Sequence, residues 1–202
     1  DVMNVLHDVV TEVIAAVGKK HLDIFERFGV EVPEAPETFP TFTLTEAQDI
    51  IRKEFAREIE DTHDMSPEDE RQICEYAKEK RHSDFVFITH YPTKQRAFYS
   101  YEEPGEEPFS RSFDLLFRGL EINSGSQRIH DYDQILERLR SRGLDPEKFS
   151  YYLQAHKYGI PPHGGCSTGL ERFTMKMLDL KNIREATAFP RDMNRIDVRL
   201  SE

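Results

Sequence analysis

The stretch Ser112-Phe113-Asp114-Leu115-Leu116-Phe117-Arg118 alternates large apolar residues with others. Taken as a strand, it puts Phe113, Leu115 and Phe117 on one face and Asp114, Leu116 and Arg118 on the opposite face. The same alternation through Leu120-Glu121-Ile122-Asn123 turns Glu121 and Asn123 one way and Leu120 and Ile122 the other, so a second carboxylate can stand beside Asp114. Two carboxylates suit Mg²⁺, a hard cation that binds through one or two acids together with substrate phosphates. A structural ion pair between Asp114 and Arg118 explains the same pattern more simply.

Ser124-Gly125-Ser126-Gln127-Arg128 then leaves the strand through small residues and presents a guanidinium. Gly125 permits positive φ or a close backbone approach, and the planar fork of Arg128 can grip both oxygens of a carboxylate. A surface position for Arg128 is the plainer alternative, as is capping or packing for the neighbouring His130. Further on, Pro161-Pro162-His163-Gly164-Gly165-Cys166-Ser167-Thr168-Gly169 runs as a glycine-rich loop into a helix holding Glu171 and Arg172. Bare backbone before a helix start favours anions, although the spacing is neither a Walker loop nor a dinucleotide fingerprint. Cys166 has no His and acid beside it in sequence to make it a nucleophile.

These residues need a sheet and helices to hold them. Val2, Leu6, Val9, Val10, Val13, Ile14 and Val17 form a helical apolar stripe from the first residues onward. The helix is therefore already under way at Asp1, which implies a preceding part of the polypeptide, and Gly29 ends it. A Pro-rich link follows, and then Thr45 with Gln48 predicts a capping box for a second helix. Ser66, Pro67 and Asp69 start a third helix that runs to about Lys80. These two acidic helices, within residues 43–82, have the character of a small insertion. Strands are predicted at Asp84–Thr89, Arg96–Tyr101, Ser112–Arg118 and Leu120–Asn123. Their short links imply antiparallel pairing. Helices return at Asp131–Arg142, at Pro146–Tyr152 and after Gly169, the last with Leu170, Phe173, Met177 and Leu180 at core spacing. Helices, then a strand meander, then helices make an α+β fold.

The chain has 202 residues, 38% hydrophobic and 32% charged, which is enough for one folded domain. Its formal net charge of -11 disfavours nonspecific nucleic-acid binding by the bulk surface. A local basic segment of Lys181, Arg184, Arg191, Arg195 and Arg199 is the place for such contacts, with a solvated helix face and tail as the alternative. Cys74 and Cys166 have no zinc-site spacing, and no apolar run reaches the roughly 20 residues that span a bilayer. A cytoplasmic location, with no membrane partner, is the expectation.

Phe113 to His130, Pro161 to Arg172 and Asn182 to Arg195, in that order, resemble aspartyl-tRNA synthetases of the archaeal and eukaryotic type. Tyr91-Pro92 and Phe98-Tyr99 resemble a further pattern of that family. Residues 1–202 would then be the C-terminal part of a class II synthetase catalytic domain, an antiparallel sheet flanked by helices and incomplete at its N-terminal side. The resemblance implies that ATP and aspartate form aspartyl-adenylate, with transfer to tRNA(Asp), and tRNA(Asn) as another acceptor. It assigns Glu121 and Arg172 to catalysis. Glu121, Asp114 and Gly169-Leu170-Glu171-Arg172 go to ATP, Arg172 holding the γ-phosphate. Glu121 and Ser124 go to Mg²⁺, and Ser124 and Arg128 to aspartate. Ser167 replaces the Gly or Ala of many relatives and could crowd the nucleotide modestly. The family's anticodon-binding domain and first two class II motifs would precede Asp1, along with the homodimer interface, so the chain alone is expected to be inactive. Phe189-Pro190-Arg191-Asp192 and Arg195 favour the aspartyl branch over asparaginyl-tRNA synthetase or a tRNA-independent asparagine synthetase. A non-catalytic paralogue is the remaining alternative.

Overall fold

The apolar stripe that opens the chain forms two helices, α1 (Val2–Lys20) and α2 (Leu22–Phe28), where a single one was predicted. The break comes at His21, whose φ of -131° is not helical, and Gly29 closes α2 in the left-handed conformation at φ 66°. Only Leu6, Val10 and Ile14 of the stripe are buried in α1, while Val9 and Val13 lie on its outer side. The computed structural model describes residues 1–190 other than 103 and 106, so Arg191, Arg195 and Arg199 and the end of the Asn182–Arg195 match lie outside the described residues.

Strand β1 (Thr41–Thr43) runs directly into α3 (Leu44–Phe55), and α4 (Pro67–Arg81) follows. The capping box of α3 is Thr43 with Glu46, two residues before the predicted pair. Thr43 keeps an extended backbone, so it ends the strand and caps the helix at once. Ser66 caps α4 in the same way with Asp69, and Pro67 occupies the first turn as expected.

Strands β2 (Phe85–Thr89), β3 (Ser112–Phe117) and β4 (Glu121–Gln127) come next. Helices α5 (Tyr132–Ser141) and α6 (Ser150–Lys157) precede β5 (Gly164–Thr168) and α7 (Leu170–Met177). A 3₁₀ turn at Pro146–Phe149 takes up the start of the helix predicted from Pro146. The sheet order is β1-β2-β3-β4-β5, with β1 parallel to β2 and every other pair antiparallel.

Two predicted segments differ. Arg96–Tyr101 is not a strand: a 3₁₀ turn at Thr93–Gln95 leads into it, and Ser100 makes a single bridge to Arg128. The side chain of Arg96 turns inward and takes Asp114 and Ser112 as partners, which holds this segment out of the ladder. Gly164–Thr168, expected as a loop, is the edge strand β5. Its first glycine is needed for space, since a Cβ on Gly164 would lie 2.7 Å from Val2 Cγ2.

Both faces of the sheet are partly covered, giving the expected α+β arrangement. On one face Phe85, Phe87, Phe113, Leu115, Phe117 and Ile122 pack with α1, α2 and α7. On the other, Val86, Ile88 and Leu116 pack under Leu44, Ala47 and Ile51 of α3 and Ile73, Cys74 and Ala77 of α4. A third cluster joins Ile129 to α5 and α6, with Phe98, Tyr99 and Tyr101 against it. Leu170, placed with the core by its spacing, is 68% exposed because it sits in the first turn of α7, ahead of the buried Phe173 and Met177. No helix among the described residues is long and apolar enough to cross a membrane.

Candidate active site

Strand β4 carries Glu121 and Ser124 and leads into Arg128, and one irregularity decides how they are presented. Phe117 and Leu120 exchange both backbone hydrogen bonds (2.8 and 3.2 Å) around a two-residue turn in which Arg118 and Gly119 have φ of 47° and 79°. Such a primed turn fits the twist of the strands it joins. Leu116 then faces Glu121, but Leu115 faces Asn123. Ile122 is thus an extra residue, a β-bulge, and it resets the alternation. With the bulge, Glu121 lies on the face of Leu116, Asp114 and Ser124, whereas Asn123 turns to the face of Leu115. The expectation that Glu121 and Asn123 share a face is corrected accordingly. Asn123 is buried and donates to Thr168 Oγ1 at 2.7 Å.

The expected ion pair between Asp114 and Arg118 is absent. Asp114 pairs with Arg96, which also donates to Ser112 Oγ at 3.0 Å and lies 4.0 Å from the centre of the Tyr91 ring. Burial works against the charge of the Arg96 guanidinium, but the charge and hydrogen bond of Asp114 outweigh it and raise the pKa of Arg96 above its ordinary value. Burial, then the charge of Asp114, push the Tyr91 phenol well above its ordinary value. Arg118 instead donates to Asp84 at 3.2 Å, at the far end of the hairpin.

Arg128 lies at the opposite end of β4 from Glu121. Its Nη1 donates to Ser126 Oγ at 2.7 Å and its Nη2 to the Gly165 carbonyl at 3.1 Å, and the guanidinium stacks 4.4 Å over Tyr99. These contacts fix the fork in one orientation. At the other end, Arg172 donates to the Glu121 carbonyl at 2.9 Å and approaches Glu121 Oε1 at 3.5 Å. Arg172 is carried by α7, whose first turn is set by Gly169 donating to the Ile122 carbonyl at 2.8 Å. Leu170 and Glu171 are exposed beside it. Seven residues of strand, one of them bulged, separate the two guanidinium anchors, about 20 Å along the sheet.

Ser167 of β5 is paired with Ser124, so both hydroxyls rise from the same face, while Cys166 pairs with Gly125 and shares the opposite face with Phe113. Cys166 is therefore turned away from Glu121 and Ser124. Gly125 is needed for space: a Cβ there would lie 2.3 Å from Phe113 Cζ and 2.7 Å from Cys166 Cβ. His130 stacks on Tyr101, ring centres 6.3 Å apart.

Sequence reasoning missed Glu70. It projects from α4 and accepts the Glu121 backbone N–H at 2.8 Å. Burial pushes its carboxyl up to about 7, the Glu121 N–H opposing and the Glu121 charge adding to the rise. The Glu121 carboxyl is also raised, first by burial and then by the charge of Asp114, with Arg172 opposing. Nothing in the acidic run Glu68-Asp69-Glu70 marks Glu70 as the acid that reaches the sheet; Asp69, which completes the cap of α4, is the most deeply buried of the three. Arg96 was legible as a residue but not as a partner of Asp114, because its segment was taken for a strand.

The donor set fits Mg²⁺. Half-buried Glu121, its carboxyl raised first by burial and then by the charge of Asp114, gains from a cation, and Ser124 offers a second hard oxygen on the same face. No group of three or more His, Cys, Asp or Glu suited to a metal occurs among the described residues. Mg²⁺ does not require one, since phosphate oxygens complete its shell.

The family model described as tRNA synthetases class II (D, K and N) matches residues 1–193. The aspartate–tRNA(Asp/Asn) ligase of Thermus thermophilus is 45% identical over 196 residues, which cover 97% of this chain and 46% of that protein. Among solved structures, aspartyl tRNA synthetase from Entamoeba histolytica matches with a TM-score of 0.87 and 32% identity, over 96% of this chain and 41% of that one. Asparaginyl-tRNA synthetase from Pyrococcus horikoshii matches with a TM-score of 0.88 and 29% identity, over 97% of this chain and 46% of that one. The chain spans under half the length of these relatives. A match over nearly its whole length, on a sheet of the same architecture, means that the chain belongs to the class II tRNA synthetases of the D, K and N group.

Proposed function

We propose that this chain supplies the aspartate and γ-phosphate ends of the active site of an aspartate–tRNA ligase. The observation that carries this reading is the face of β4, with Glu121 and Ser124 between two anchored guanidinium groups, Arg128 and Arg172. Arg128 grips the side-chain carboxylate of aspartate, because its fork is held by Ser126 and Gly165 and cannot swing away. Ser124 stands between that anchor and Glu121 and contacts the amino acid. Arg172 binds the γ-phosphate of ATP, with Gly169, Leu170 and Glu171 forming the turn beneath the nucleotide. Glu121 faces the phosphates, and Asp114 acts on the nucleotide side through Arg96.

Glu121 and Ser124 would hold Mg²⁺, which supplies charge neutralisation of the phosphate oxygens. An α-carboxylate oxygen of aspartate attacks the α-phosphorus, the bond to the β-phosphate bridge breaks, and pyrophosphate leaves. The terminal ribose hydroxyl of tRNA then attacks the aspartyl carbonyl, and AMP departs. The residues of this chain contribute position and charge rather than a base. The acceptors are tRNA(Asp) and, as the name of the Thermus thermophilus relative suggests, tRNA(Asn). The whole protein works as a cytoplasmic homodimer, and the 202 residues alone do not complete a turnover.

Pyrophosphate exchange and tRNA charging by the full-length protein test the reading. Exchange should require aspartate and Mg²⁺, and the isolated chain should show none. Asparagine as the only accepted amino acid, or an activity that needs ammonia but no tRNA, would overturn it.

A further inference from the structure

Glu121 is paired with Leu116 in the β3–β4 ladder, but its backbone N–H and C=O point away from β3. Phe117 and Leu120 exchange both of their hydrogen bonds, so in an antiparallel ladder the next pair, Leu116 and Glu121, exchanges none. On the other side, pairing with β5 stops at Asn123 and Thr168. The Glu121 N–H and C=O therefore need partners from elsewhere, and in a half-buried place each one left bare would be destabilising. Two side chains provide them. Arg172 of α7 donates to the carbonyl at 2.9 Å, and Glu70 of α4 accepts the N–H at 2.8 Å. Helix α4 is close enough for this because the hairpin turn has no side chain where they meet: a Cβ on Gly119 would lie 3.2 Å from Arg71 Cα.

We propose that Glu70 is a positioning residue for the adenylation site, holding the Glu121 amide so that the Ile122 bulge keeps Glu121 on the face of Ser124. The inference rests on the proposed aspartate–ATP chemistry for its effect on activity, but not for the hydrogen bond itself. Glu70 touches no substrate in this scheme. It acts through Glu121, and it makes residues 43–82 a wall of the site rather than a spacer. Removing it frees the amide, lets the bulge shift and moves the Glu121 carboxylate relative to Ser124. Outer partners of ligating carboxylates typically change metal affinity or activity by about 10–100-fold.

Glu70→Ala and Glu70→Gln in the full-length protein separate the possibilities, with Glu79→Ala at the exposed end of the same helix as a control. In pyrophosphate exchange, Glu70→Ala should raise the KM for Mg·ATP by about tenfold and leave the KM for aspartate unchanged. Glu70→Gln retains an acceptor oxygen and should recover most of that loss. Hydrogen exchange followed over residues 118–123 should show the Glu121 amide protected in the parent and in Glu70→Gln and deprotected in Glu70→Ala. An unchanged Mg·ATP KM with unchanged amide protection overturns the proposal, and so does a Glu70→Gln variant as impaired as Glu70→Ala. A general loss of folding would lower kcat without the split between the two KM values, and that outcome also counts against it. If the parent itself exchanges no pyrophosphate with aspartate, the proposed function fails, and amide protection alone then decides the role of Glu70.

Discussion

Gly125 stands across β3 from Phe113 and across β5 from Cys166, at the middle of the strand that carries the site. A methyl group there would press into the Phe113 ring and the Cys166 side chain at once. Phe113 is packed in the core beneath α1, so the ring has little room to move. Gly125→Ala should destabilise the protein by about 2 kcal/mol, as overpacking of a full core does, with the midpoint of denaturant unfolding as the measurement. An unchanged midpoint would mean that the sheet can separate locally at no expense. The chain of small residues from Ser124 to Ser126 was legible in the sequence as a place of close approach. What it approaches was not, because the neighbours are supplied by two strands distant in sequence. The contact that orients Arg128 lies within its own motif, since Ser126 is two residues before it, whereas the Glu121 carbonyl that Arg172 reaches is 51 residues away and had no local signal.

At the level of elements, alternation gave the faces of β3 correctly and those of β4 only in part. A bulge adds one residue without any side-chain signature, and Ile122 is an ordinary strand residue. The caps of α4 were legible because Ser66, Pro67 and Asp69 act within one turn. The place of α4 beside the hairpin was not, since it depends on Asp84. This acid is 6% exposed and collects three partners: the Glu34 N–H at 2.7 Å, Arg118 at 3.2 Å and Lys78 at 3.3 Å. Burial pushes its carboxyl up, but the Glu34 N–H and the two cations outweigh that and hold it below the ordinary value of 3.8. The folded state therefore binds the Asp84 proton less readily than the unfolded chain does. The contribution to stability is complete above pH 3.8 and is lost as pH falls through the lower folded value. Asp84→Ala leaves Arg118 without its carboxylate and should destabilise the fold by about 3 kcal/mol at pH 7. The difference from the parent should shrink on acidification, as followed by chemical denaturation at a series of pH values. A difference that stays constant down to pH 2 would show that Asp84 contributes by packing alone.

The molecule as a whole leaves the floor of the site between two walls of different strength. On the face of Glu121 and Ser124, α3 and α4 cover the β1–β3 side through a core continuous with the sheet, with Val86, Ile88 and Leu116 beneath them. On the far side stand α5 and α6, held by a satellite cluster whose fully buried members centre on Ile129, Ile135 and Leu139. Tyr99, the ring under Arg128, packs against that satellite and not against the main core. The amino-acid end of the site therefore depends on the smaller of the two clusters. A cluster of this size opens at lower free energy than a central sheet, so amides of α5 and α6 should exchange before those of β2 and β3. Leu139→Ala removes a buried side chain and should cost the α5–α6 unit about 3 kcal/mol. Exchange in α5 and α6 should accelerate accordingly while β2 and β3 keep their protection. Because Tyr99 loses its support, the same variant should weaken aspartate binding more than Mg·ATP binding, the reverse of the pattern expected for Glu70→Ala. Equal acceleration across α5, α6 and the sheet would mean that the satellite and the main core unfold as one unit, and the amino-acid end of the site would then draw its rigidity from the whole domain.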